Sequence, residues 1–180
     1  MAITTRETTA TGVTNKGAPL TNAEVDANFI ELVQTKVDVS GAIIFEAKAG
    51  EALSKGDVVY VSGVSGNKPE VSKADANDAS KMPAYGLAEA DAILNAAVNV
   101  VTFGTLYDLD TTSFAAGDTV YVSNTAGAIT TTAPTGEASL LQNIGTVIRS
   151  HASAGSIKVG GAGRTNATPN LDDGNVFIGN

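Results

Sequence analysis

The hydrophobic rhythm of the chain changes once. Between Leu20 and Ser40 the seam positions Val25, Phe29, Leu32, Lys36 and Val39 follow steps of four and three. That spacing sets side chains on one narrow helical seam, apolar except at Lys36. Thr21 opens the segment with Glu24 three residues on, so each side chain can satisfy a free backbone amide near the other, and Leu20 can pack on Val25 across the cap. The pattern predicts a helix over residues 20–40. A helix this short gains most of its stability by burying its apolar face. Spacing alone leaves two shelters open for that face, the chain's own domain or sister copies of it.

After Val39 the rhythm becomes strand-like. Gly41 breaks the helix, and Ala42-Ile43-Ile44-Phe45 opens a body over residues 41–160 that reads as an internal duplication. The run from Leu53 through Lys55-Gly56-Asp57 to Ser62 recurs as Phe114 through Ala116-Gly117-Asp118 to Ser123, 61 residues later. Tyr85-Gly86-Leu87-Ala88 is echoed by Ile144-Gly145-Thr146-Val147, and Val98-Asn99-Val100 by Ile157-Lys158-Val159, both at 59. Each half, about 42–104 and 105–160, reads as a Gly-Asp turn, a strand, a glycine hairpin, an irregular excursion and two further strands. The expected fold class is mainly β: a short N-terminal helix, then a duplicated antiparallel β-barrel or sandwich with pseudo-twofold symmetry. Duplicated hairpins close a sheet without long free edges.

Three finer expectations follow from the same pattern. Lys73 to Ser80 is polar and alanine-rich and reads as a surface loop, while Ser139 to Asn143 reads as a short helix or a strand entry. Val58 to Val61 and Val98 to Val101 do not alternate, the mark of strands buried on both faces, and this points to contact with symmetry mates. Residues 161–180 read as an extended tail ending in Val176-Phe177-Ile178, a strand paired with the body or offered to a neighbour.

Composition narrows the partners. Hydrophobic residues make up 43% and charged residues 17%, with no tryptophan, which describes a globular core of small side chains. A formal net charge of −8 disfavours phosphate backbones, so no nucleic-acid partner is expected. Without cysteine there is no disulfide and no thiolate metal site. No stretch resembles a secretory leader or a run of eighteen apolar residues, so no membrane insertion is expected and synthesis in the cytoplasm is. The threonine-rich opening, within an arm over residues 1–19, is too polar to pack alone; it orders against another protein or is a frayed terminus.

Candidates for chemistry are thin. Glycan cleavage needs two carboxylates across a cleft with aromatic platforms. Glu89 with Asp91, and Asp108 with Asp110, have a spacing of two that puts each pair on one strand face about 7 Å apart. Solvated strand-edge acids are the stronger reading. His151, the single histidine, lacks a triad pattern around it and reads as a surface residue beside Arg149. Asp172-Asp173-Gly174-Asn175 lacks the alternating spacing and distal Glu of a calcium loop and reads as a turn. Gly160-Gly161-Ala162-Gly163-Arg164 leads into no helix, so it is a connection and not a phosphate cradle. No catalytic residue, cofactor or metal is expected.

The run GAPLTNAEVDANFIELVQTK resembles the N-terminal segment of bacteriophage tail fibre and related virion proteins, through Pro19, Leu20, Thr21, Glu24, Val25, Asp26, Asn28, Phe29, Leu32 and Lys36. The closing run NLDDGNVFIGN is similar to fibre sequence that commonly precedes distal domains. None follows it here, which weakens host-receptor binding more than virion membership. The resemblance implies a virion structural protein made in the host cytoplasm, a homotrimer whose seam is Val25, Phe29, Leu32, Lys36 and Val39. It further implies attachment to other tail or capsid proteins through the N-terminal segment, as a short tail fibre or fibre-base component and not an enzyme. A capsid decoration protein is the nearest alternative. A glycan-binding or glycan-cleaving module acting on host surface glycan is the next.

Overall fold

Two turns of the same build organise the body. In Ser54-Lys55-Gly56-Asp57 the Asp57 carboxylate accepts from the Ser54 N–H at 2.8 Å, and in Ala115-Ala116-Gly117-Asp118 the Asp118 carboxylate accepts from the Ala115 N–H at 2.8 Å. Gly56 and Gly117 hold φ of +89° and +93°, a region where a side chain is strained. Each glycine N–H then donates to a later strand of its own half, Gly56 to the Ala88 carbonyl and Gly117 to the Val147 carbonyl, both at 2.8 Å. The return bonds, Ala88 N–H to Asp57 and Val147 N–H to Asp118, are both 2.9 Å. Residues displaced by 61 and 59 thus make the same bonds.

The computed structural model describes residues 3–5, 13–15, 19–28, 41–160, 168, 169 and 174. The chain divides into two compact units, Met1–Gly41 and Ala42–Asn180. In the first, β1 (Ile3–Thr5) pairs in parallel with β2 (Val13–Asn15), and residues 22–28 form helix α1. The helix start is the predicted capping box. Glu24 accepts from the Thr21 N–H at 2.7 Å and hydroxyl at 2.9 Å, and the Thr21 hydroxyl accepts from the Glu24 N–H at 3.3 Å. Val25 is half-buried. Phe29, Leu32, Lys36 and Val39 lie outside the described residues.

The second unit is mainly β. Its strands are β3 (Ile43–Ala49), β4 (Val58–Ser65), β5 (Lys68–Lys73), β6 (Gly86–Ala88), β7 (Ala97–Leu109), β8 (Thr119–Val122), β9 (Ile129–Thr130), β10 (Leu140–Leu141), β11 (Asn143–Arg149), β12 (Gly155–Val159) and β13 (Thr168–Pro169). One nine-stranded sheet runs β3-β5-β4-β6-β7-β12-β11-β8-β9, and β10 pairs with β13. Since β3 also pairs with β7, the first half is a ring of hydrogen-bonded strands. Its closing pair, β3 with β5, is parallel, a departure from the wholly antiparallel expectation.

Strand register repeats as the turns do. Phe45, Glu46 and Ala47 face Val100, Asn99 and Val98; 59 residues on, Gly104, Thr105 and Leu106 face Val159, Lys158 and Ile157. The long β7 therefore belongs to both halves. Its first part closes one and its second part opens the other. The ladder β11–β12 is shifted by two residues relative to β6–β7, so the repeat is close without being complete.

The core explains the non-alternating runs. Val59, Val71, Ala88, Val98 and Val100 fill the first half together with Ala47 and Ala49. On the opposite faces, Val58, Leu87 and Val101 join Val120, Val122, Ile144, Val147 and Ile157 of the second half in one cluster. The second face of these strands is thus covered by the chain's own second half, and not by a symmetry mate as their sequence suggested. Burying each such side chain contributes about 2 kcal/mol. Ala74 and Ala76, expected on a surface loop, are fully buried in the same cluster. Their backbone holds them there: Ala76 donates to Ser123 at 3.0 Å and accepts from Leu140 at 2.8 Å.

Gln142 adds the polar link between halves. Its amide nitrogen donates to the Ala84 carbonyl and its amide oxygen accepts from the Ala84 N–H, both at 2.8 Å, in a side chain only 1% exposed. Replacing it, Gln142→Leu, strands two buried backbone groups at about 1–3 kcal/mol each. Urea unfolding is expected to show a stability loss of about 3 kcal/mol with an unchanged slope.

Candidate functional site

The carboxylates proposed for glycan chemistry are engaged separately. Glu89 accepts from the Asn99 amide at 2.9 Å, and Asp91 accepts from the Lys55 N–H at 2.8 Å. Asp108 sits at φ 58°, in the left-handed region. Asp110 accepts from both the hydroxyl and the N–H of Thr112, at 2.7 and 3.0 Å, the local turn that an aspartate makes at a strand end. His151 serves its own turn: its Nδ1 accepts from the Ser153 and Ala154 N–H groups at 3.1 and 3.0 Å. Among the described residues no cluster of three or more His, Cys, Asp or Glu is arranged to hold a metal. Of the run Asp172 to Asn175 only Gly174, at φ +91°, is described; of Gly160 to Arg164, only Gly160.

A cleft of about 400 Å³ opens where the repeat fails. In the first half β3 and β5 pair through Lys48 with Glu70 and Ala49 with Val71. The second half makes no matching ladder between the end of β7 and β9 among the described residues. β9 is only two residues long, and the chain bends away where the Thr130 hydroxyl accepts from the Thr132 N–H at 3.1 Å. The gap is floored by Leu109, Phe114, Ile129 and Ile157, with Lys55, Asp57, Asp110 and Ser113 around it. The Asp57 carboxylate is neutralised by Lys73 at 3.2 Å. No sequence signal marks this cleft, because it arises from a pairing that is missing.

Exposed apolar side chains among the described residues include two neighbouring pairs. Ile43 and Phe103 are paired across β3 and β7 at 63% and 45% exposure, and the Lys158 ammonium lies 4.0 Å from the centre of the Phe103 ring. Ile93 and Leu94, at the tip of the turn between β6 and β7, are 76% and 56% exposed. Such surfaces suit contact with another macromolecule better than catalysis.

No protein-family profile matches the sequence, and no curated protein matches it. Among solved structures, the head fibre gp8.5 N base of bacteriophage phi29 aligns with 65% of this chain and 92% of its own, at 13% identity and a TM-score of 0.44.

The carboxylates of Asp78 and Asp110 are both held below the ordinary range. The first is held chiefly by the Ser80 hydroxyl and N–H, the second by the Thr112 hydroxyl and N–H. A depressed native value contributes stability above the unfolded value of about 3.9 that is lost as pH falls through the lower native one. Denaturation measured from pH 5 downward is expected to show that loss beginning below pH ~4, and Asp78→Asn with Asp110→Asn to make it smaller.

Proposed function

We propose that this chain is a structural protein of a bacteriophage particle, a homotrimer held by the helical seam Val25, Phe29, Leu32, Lys36 and Val39. It attaches to neighbouring virion proteins through residues 1–19, as a short tail fibre or fibre-base component. The observation that carries the reading is the fibre-type run from Gly17 to Lys36, whose Thr21 and Glu24 make the reciprocal cap described above. A helix confined to residues 20–40 gains most of its stability from packing, so a seam of this kind needs a partner surface. The separate engagement of Glu89 by Asn99, Asp91 by Lys55, Asp110 by Thr112 and His151 by its own turn favours a structural role over an enzymatic one.

A capsid decoration protein is the second reading, favoured by a small acidic β-rich body. Electron microscopy of particles labelled on this protein separates the two. Signal at the tail supports the fibre role, and signal over the whole shell supports decoration. Oligomeric state tests the premise common to both. Light scattering of the full chain is expected to give three times the 18.1 kDa chain mass, and Phe29→Asp to give a single chain mass with the β-body still folded. A wild-type protein of single chain mass contradicts the reading.

A further inference from the structure

The second half lacks a strand neighbour that the first half has. Val71 of β5 faces Val61 across the hairpin and is fully buried, with β3 on the far edge of its strand. Its counterpart is Ile129 of β9, which faces Val122, 61 residues after Val61. Ile129 is only half-buried and lines the cleft. Among the described strands β9 pairs with β8 alone and ends the sheet. Its outer edge therefore presents the backbone groups that β5 bonds to β3, and an edge of that kind takes up an extended segment.

The tail of the same chain is rooted close to this gap. Val176-Phe177-Ile178 lies outside the described residues, but Thr168 and Pro169 of β13 pair with Leu141 and Leu140 of β10. From β10 a run of backbone bonds leads to the cleft. Leu140 N–H donates to the Ala76 carbonyl at 2.8 Å, Ala76 N–H to Ser123 at 3.0 Å, and Ser123 N–H to Ala128 at 3.1 Å. Ala128 lines the cleft. Steps of about 5 Å from Pro169 to Leu140, Ala76, Ser123 and Ala128 put the cleft within roughly 20 Å of Pro169. The chain from Pro169 to Val176 spans up to about 23 Å when extended.

We propose that Val176-Phe177-Ile178 seats in the cleft of its own chain, as a short strand against the edge of β9 with the Phe177 ring over the apolar floor. It takes there the place that β3 holds beside β5. Size fits this occupant: an apolar cavity of about 150 Å³ accepts a benzene ring, and the cleft measures about 400 Å³ over Leu109, Phe114, Ile129 and Ile157. Charge fits it as well. The rim carries Lys55 and Asp110, of opposite sign, and Asp57 already paired with Lys73. Such a rim favours neither an acidic nor a basic segment, and Gly174 to Asn180 carries no ionisable side chain. The proposal stands independently of the trimeric reading, because root, reach and cleft all belong to one chain.

The absence of cysteine allows a test in the full chain with a single spin label. Ala115→Cys places it at an exposed position next to Phe114 without altering the cleft lining. In isotope-labelled protein the nitroxide is expected to broaden the amide signals of Phe177 and Ile178. The broadening is expected to persist when the labelled chain is refolded with a large excess of unlabelled chain. Broadening that disappears in the excess puts the tail in a neighbouring copy's cleft and overturns the own-chain seat; no broadening overturns the docking altogether. As a second measurement, Phe177→Ser is expected to speed hydrogen exchange at the Ile178 amide by at least about tenfold while the Val59 amide keeps its rate. An unchanged Ile178 rate overturns the proposal.

Discussion

The architecture depends on a layer of apolar side chains that the two halves share. Val58, Leu87 and Val101 turn one way while their chain neighbours Val59, Ala88 and Val100 turn the other, and all six are buried. Strands covered on both faces must carry small or branched residues without polar alternation. This accounts for a core of valine, alanine and leucine in a protein with no tryptophan. The continuous strand β7 enforces the arrangement, because the residues that close one half run directly into those that open the next. Gln142 closes the same junction with a pair of buried hydrogen bonds to one residue.

Function is most readable where the repeat breaks. Two halves built on equivalent turns and registers tell which features the fold requires, since those occur twice. The Gly-Asp turns occur twice; the aliphatic pair Ile93-Leu94 occurs once, and so does the closing pair of β3 with β5. The unclosed side of the second half is a cleft, and the unmatched turn is an exposed apolar tip. Each costs something in isolation: an open edge invites pairing, and bare aliphatic groups invite association.

Much of this was legible from the residues. The turns could be read because only glycine takes that backbone conformation cheaply and aspartate completes the loop, and the cap on α1 because Thr21 and Glu24 stand at the required spacing. Burial on both faces was legible at Val58 and Val59, though Val61 in the same run is 44% exposed; hydrophobicity says only that a face is covered and not by what, so the cover was assigned to other copies. Alanine carries little signal either way, which hid the burial of Ala74 and Ala76. The parallel link between β3 and β5 is two residues long, too short for any periodicity. Gln142 looks like any polar residue until its partner Ala84 is brought to it from 58 positions away. His151 was read as a surface residue and is exposed, though its role as acceptor for two backbone amides needs coordinates to see.

The central claim is that the two halves form one cooperative unit through their shared layer, and native-state hydrogen exchange tests it most directly. The account predicts that the amides of Val59 and Val100 in the first half exchange with the same free energy as those of Val120 and Ile157 in the second, equal to the global unfolding value. Exchange of the second half at distinctly lower free energy, while the first stays protected, would show two independent units and contradict it.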